Sequence, residues 1–105
     1  MNLWKIQRMV FEEYKKNGYL EEWSNPDILT QAKIDIAELG LVVTEISEAM
    51  EECRNIDNEK LSYELADIII RVLNFASRKK IDIESYVKAK HQRNLQRGKL
   101  HGRHI

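Results

Sequence analysis

Residues 61–76, LSYELADIIIRVLNFA, are apolar almost throughout, and they constrain the fold more than any other stretch of the chain. Leu61, Leu65, Ile68, Ile69, Ile70, Val72, Leu73 and Phe75 leave hardly a helical face without a large apolar side chain. A helix of that kind is buried on most sides. Yet Glu64, Asp67, Arg71 and Asn74 recur through it at steps of three, four and three, which puts them on one narrow stripe. Aspartate forms helices poorly and rarely enters a core without a partner. The stripe therefore needs a partner or a task.

The rest of the sequence reads as helices. No stretch alternates with period two between turn residues, so no strands are expected. A first amphipathic helix spans Leu3 to Lys16, with Leu3, Ile6, Val10 and Tyr14 as its apolar stripe, and stops at Asn17-Gly18. After the connector YLEEWSN, Asn25 reads as an N-cap with Pro26 at the first helical position. The helical pattern then persists to about Arg54, with Gly40 as a candidate break. Asn55 to Asn58 form a turn, and Asp57 or Asn58 caps a helix running to about Arg78. Asp82 caps a last helix that ends at Gly98, and the tail KLHGRHI reads as irregular. Four main helices with short connections predict an all-α, antiparallel four-helix bundle. At this length the expectation is one domain over residues 1–105, of which 95–105 form a basic, partly irregular tail.

Charge is zero in sum but divided along the chain. Glu38, Glu45, Glu48, Glu51 and Glu52 crowd residues 38–52 without a basic residue, whereas Arg and Lys dominate from Arg78 onward. The two blocks can attract one another, or form two halves of a site for a metal and an anion. The single cysteine, Cys53, excludes an internal disulfide and fits a reducing, cytoplasmic setting. The charged stretch MNLWKIQRMVFEEYKK does not read as a signal peptide, and no apolar run is long enough to cross a membrane.

On a helical wheel, two central helices each carry an acid-x-x-acid pair, Glu45/Glu48 and Glu64/Asp67, beside an apolar face. Four carboxylates converging in a partly desolvated site repel one another, and a hard divalent cation removes that conflict. Oxygen-only donors without a Cys/His cluster favour Mg²⁺ or Mn²⁺ over zinc or iron. The alternative is two solvated faces, with Asp67 and Arg71 as an exposed i,i+4 pair. Spacing alone leaves both open. On the last helix Lys90, Asn94, Arg97 and His101 share a face at steps of four, three and four, and such donors suit phosphate oxygens. A nucleic-acid polymer is not expected, because the chain is neutral overall and no basic stretch is interleaved with several aromatics.

This arrangement resembles the MazG-type, all-α nucleoside triphosphate pyrophosphohydrolases, whose pattern is Glu-Glu-x-x-Glu, a spacer, then Glu-x-x-Asp. The chain has TEISE at 44–48, fifteen residues, then ELAD at 64–67. The similarity continues through IIIRVLNFA and DIESYVKAKHQRN into RGKLHGR, like the family's Asn-x-x-Arg-x-x-x-His-Gly tail, and covers roughly residues 33–103. Thr44 stands where the fuller pattern has its first Glu. The resemblance implies that Glu45, Glu48, Glu64 and Asp67 ligate Mg²⁺ (or Mn²⁺), with Glu48 as general base. It implies that Lys90, Asn94, Arg97 and His101 handle the triphosphate, with Asn74 in or beside the same stripe. The implied reaction is hydrolysis of (d)NTP to (d)NMP and pyrophosphate, as nucleotide-pool house-cleaning in a homodimer or homotetramer whose association completes the core. Two other readings stand beside it. One is phosphoribosyl-ATP pyrophosphohydrolase, and the other is a non-catalytic helical interaction module.

Overall fold

The structure, a computed structural model, describes residues 2–102, with side chains through Gly98. It is helical, with no strand among the described residues. Helix α1 spans Leu3–Lys16, α2 Tyr19–Glu22, α3 Ile28–Arg54, α4 Asn58–Arg78 and α5 Ile83–Gly102.

Each boundary has a local cause. Asn2 caps α1 by accepting from the Lys5 N–H at 2.9 Å, and the chain turns out of the helix at Gly18 with φ 82°, a conformation glycine adopts without strain. The expected cap of α3 moves from Asn25 to Asp27. Asn25 spends its Oδ1 on the Asp27 N–H in a local turn, while Asp27 accepts from the Thr30 N–H at 2.8 Å and its hydroxyl at 2.7 Å. Gly40 does not break α3, which runs on to Arg54. Asp57 caps α4 through the Lys60 N–H. In α5 the regular backbone fails at Gly98, φ 73° and ψ −175°, where the sequence ends the helix, but residues 99–102 take up helical hydrogen bonding again.

Helices α3 and α4, joined by the short turn at residues 55–57, form the principal pair. Helix α1 packs on α4, and α5 docks on α1. Gln7 locks that corner: its Nε2 donates to Ser77 Oγ and to the Ile81 carbonyl, both at 2.9 Å, and its Oε1 accepts from the Ile83 N–H. The buried apolar core is small: Tyr14, Val42, Ala49, Leu73 and Ala76.

A buried ionic network ties α1, α3 and α4 together. Arg78, its side chain 3% exposed, donates through Nε and one terminal nitrogen to Glu38 Oε1, at 2.9 and 2.6 Å. Its other terminal nitrogen meets Asp35 at 2.7 Å. Tyr14 donates its hydroxyl to Glu38 Oε2 at 2.6 Å, and Lys79 covers Asp35. Burial disfavours the charged guanidinium, but Glu38 and Asp35 outweigh it and raise the Arg78 pKa. The acidic and basic blocks of the sequence thus attract one another directly here.

The apolar stripe of α3 faces outward. Ile36, Leu39, Val43, Ile46, Met50 and Cys53 follow a heptad rhythm, and all six are exposed, Ile36 at 71% and Val43 at 65%. The face that meets α4 carries Glu38, Val42, Glu45 and Ala49 instead. Total accessible surface is 8186 Å², against roughly 6,100 Å² for a compact monomer of this mass. The radius of gyration is 15.9 Å, where a compact domain of 100 residues has about 13 Å.

Candidate active site

Glu45 and Glu48 lie one turn apart on α3, and Glu64 faces them from α4. Each offers a carboxylate oxygen, and these three oxygens lie within 4.8 Å of one another. Two oxygens on one Mg²⁺ stand no more than about 4.2 Å apart, since Mg–O distances are near 2.1 Å. Neighbouring (cis) oxygens on such an ion stand about 3 Å apart, so the three would draw closer together to share it. Glu64 Oε2 is enclosed without a hydrogen-bond partner, a state that costs free energy unless something positive meets it. Burial and the negative charges of Glu45 and Glu48 push the Glu64 carboxyl up to about 7. Three acids held together against their own repulsion fit a divalent cation.

Asp67, the fourth expected ligand, is exposed, one turn beyond Glu64 and outside that trio. It lines a cavity of about 640 Å³ that opens beside the cluster, and Glu45 and Arg71 line the same wall. Arg71 donates from Nε to Glu45 Oε1 at 3.2 Å, so the polar stripe of α4 reaches across to α3. Asn74 is the next residue of that stripe. It is buried at the cavity wall, and its Oδ1 is enclosed without a partner. Thr44, at the departure from the family pattern, donates its hydroxyl to the Gly40 carbonyl of its own helix at 3.2 Å.

The expected phosphate-handling residues sit apart from this cavity. Lys90, Asn94 and Arg97 lie on α5, and none of them lines it. Asn94 Oδ1 is enclosed and unpartnered. The side chain of His101 lies outside the described residues. Sequence reading did not find the Tyr14–Glu38–Arg78 network that closes one side of the cavity. Arg78 reads there as the first member of a basic block, and no spacing rule links a residue of α1 to one of α3.

No helix among the described residues is long and apolar enough to cross a membrane. No curated protein and no solved structure matches the chain significantly. The family profile of the MazG nucleotide pyrophosphohydrolase domain matches residues 36–102, nearly two thirds of the chain, from the first half of α3 through the acidic cluster to the end of α5. The chain belongs to the MazG nucleotide pyrophosphohydrolase domain family.

Proposed function

We propose that this protein is a Mg²⁺-dependent pyrophosphohydrolase that converts (d)NTP to (d)NMP and pyrophosphate, as a house-cleaning enzyme of the nucleotide pool. The observation that carries this reading is the convergence of Glu45, Glu48 and Glu64 around an enclosed, unpartnered carboxylate oxygen within a MazG domain.

Glu45, Glu48 and Glu64 hold the ion, with Asp67 as the further carboxylate on α4. When bound, Mg²⁺ (or Mn²⁺) neutralises phosphate charge and makes water more acidic. Glu48 is the exposed member of the three, and it takes the proton of the attacking water. The water oxygen bonds to phosphorus as the bond to the pyrophosphate leaving group breaks. Arg71 steadies Glu45 from the side, and Asn74 meets the substrate in the cavity. Lys90, Asn94, Arg97 and His101 supply donors to the triphosphate. The α5 groups stand off the cavity of their own protomer, so they reach the phosphates within a homodimer or homotetramer. The open heptad stripe on α3 and the excess surface favour such self-association.

Incubation with a panel of NTPs and dNTPs, with and without Mg²⁺, tests this once the products are resolved. Monophosphate plus pyrophosphate, formed only with the metal and lost in Asp67→Asn, is the expected result. A folded protein that turns over none of them, with or without metal, overturns it.

A further inference from the structure

Two arginines of α4, Arg71 and Arg78, are engaged very differently. Arg78 places all three guanidinium nitrogens on Glu38 and Asp35, and its side chain is 3% exposed. Arg71 meets Glu45 through Nε alone, at 3.2 Å, and its side chain is 42% exposed. Its two terminal nitrogens make no hydrogen bond among the described residues, although Asp67 lies one turn back on the same helix. A guanidinium carries N–H donors on all three nitrogens in a rigid fork, so the terminal pair of Arg71 is left over.

The cavity gives that fork a direction. Arg71 lines it together with the carboxylates Glu13, Glu22, Glu38, Glu45 and Asp67, and no other cation among the described residues does. Glu38 is already held by Tyr14 and Arg78, but the others leave the space strongly negative. A polyphosphate entering such a space needs positive charge on its path, because like charges in a partly desolvated site repel one another. An ion held at the acidic trio supplies part of it. Within the protomer Arg71 is the donor left for the remainder, since Lys90, Asn94 and Arg97 do not line the cavity. A planar fork matches two phosphate oxygens at once, which an ammonium group does not. The bond from Nε to Glu45 also fixes the guanidinium beside the trio, so less freedom is lost when its open end takes a ligand.

We infer that Arg71 is a substrate-binding residue with two engagements at once: Nε keeps Glu45 in place, and the terminal nitrogens bind phosphate oxygens of the nucleotide. The inference rests on the nucleotide reading of the acidic cluster and gives Arg71 a contact beyond its hold on Glu45.

The two engagements separate once metal is saturating. Wild type, Arg71→Gln and Arg71→Lys are melted over a Mg²⁺ titration to find where each melting temperature stops rising. Above that concentration, calorimetry measures binding of the α,β-methylene analogues of the common ribo- and deoxyribonucleoside triphosphates, whose bridging carbon blocks cleavage between the α- and β-phosphates. Arg71→Gln should bind at least about tenfold more weakly than wild type, the scale of hydrogen bonds to a charged group. Arg71→Lys, which keeps the charge and loses the fork, should fall between the two, and it decides the matter if Arg71→Gln does not fold. For any triphosphate that is hydrolysed, kcat/KM at the same metal concentration should drop at least as far. Equal affinity and equal kcat/KM in wild type and variants would show that Arg71 acts through Glu45 alone, which overturns the inference and leaves the pyrophosphohydrolase reading standing. No binding of any analogue and no hydrolysis of any triphosphate by the wild-type protein overturns both.

Discussion

Arg71 donates to Glu45 across the α3–α4 interface at 3.2 Å, and the same carboxylate stands within 4.8 Å of Glu48 and Glu64. One carboxyl group thus faces a cation of the protein on one side and two acids on the other. A divalent ion among the acids would share Glu45 with Arg71, which would then orient the carboxylate from outside the coordination shell.

That relationship makes a prediction about metal. Mg²⁺ or Mn²⁺ should raise the melting temperature of the wild-type protein, because a ligand of the folded state stabilises it. Glu64→Gln should remove the rise. Arg71→Ala should keep a rise but require roughly 10- to 100-fold more metal to reach it, while stability without metal changes by about 1 kcal/mol, since the Arg71 end of the pair is open to solvent. Thermal melts over a metal titration check all three.

Arg78 is a different case, because it is enclosed. Arg78→Met would leave Glu38 and Asp35 facing one another without their shared cation. Breaking a buried ion pair from one side costs about 3–5 kcal/mol. Urea denaturation should show a loss of that order, whereas Lys79→Met, which removes the half-exposed partner of Asp35, should cost about 1 kcal/mol or less.

The same network sets an acid limit. Burial opposes ionisation of Asp35, but hydrogen bonds from Lys79, Gln31 and Arg78 prevail and lower its pKa from 3.8 to about 2. The folded state therefore holds this proton less tightly than the unfolded chain does. Its stabilising contribution is complete above pH 3.8 and is lost as pH falls toward 2. Denaturation midpoints measured from pH 5 to pH 2 should fall less steeply for Asp35→Asn than for wild type.

The sequence made the helices legible because each carries its own cap and period. Asp57, Asp82 and the Asn17-Gly18 stop are local signals, and the two acid-x-x-acid pairs put Glu45, Glu48 and Glu64 on helices that meet. What escaped it depends on contacts between distant segments. Asn25-Pro26 looked like the cap of α3 because its competitor, Asp27, differs only in which amide its side chain reaches. Gln7 is an ordinary polar residue until the α4–α5 turn arrives beside it. A helical wheel puts an apolar face on α3 beside its acids without saying which face packs on α4. In the folded protomer the acids and Val42 take that face, and the apolar stripe is left outside.

That exposed stripe yields the last prediction. Ile36, Leu39, Val43, Ile46 and Met50 give α3 a heptad-spaced apolar ridge that the other described residues leave exposed. The protomer also exposes about 2,000 Å² beyond what its mass calls for, a surface of the size that permanent interfaces use. A second copy laying the same ridge against it would bury both, and the isologous contact would close as a dimer. Light scattering on a sizing column should give at least a dimer for the wild-type protein, with a melting temperature that rises with protein concentration. Val43→Asp places a charge in the middle of the ridge, where it is harmless in a monomer and costly in an interface. It should shift the protein to monomer, remove the concentration dependence, and leave helical circular dichroism at low concentration unchanged. A wild-type protein that runs as a monomer at every concentration, with Val43→Asp indistinguishable from it, would show that the ridge faces solvent in the functional state.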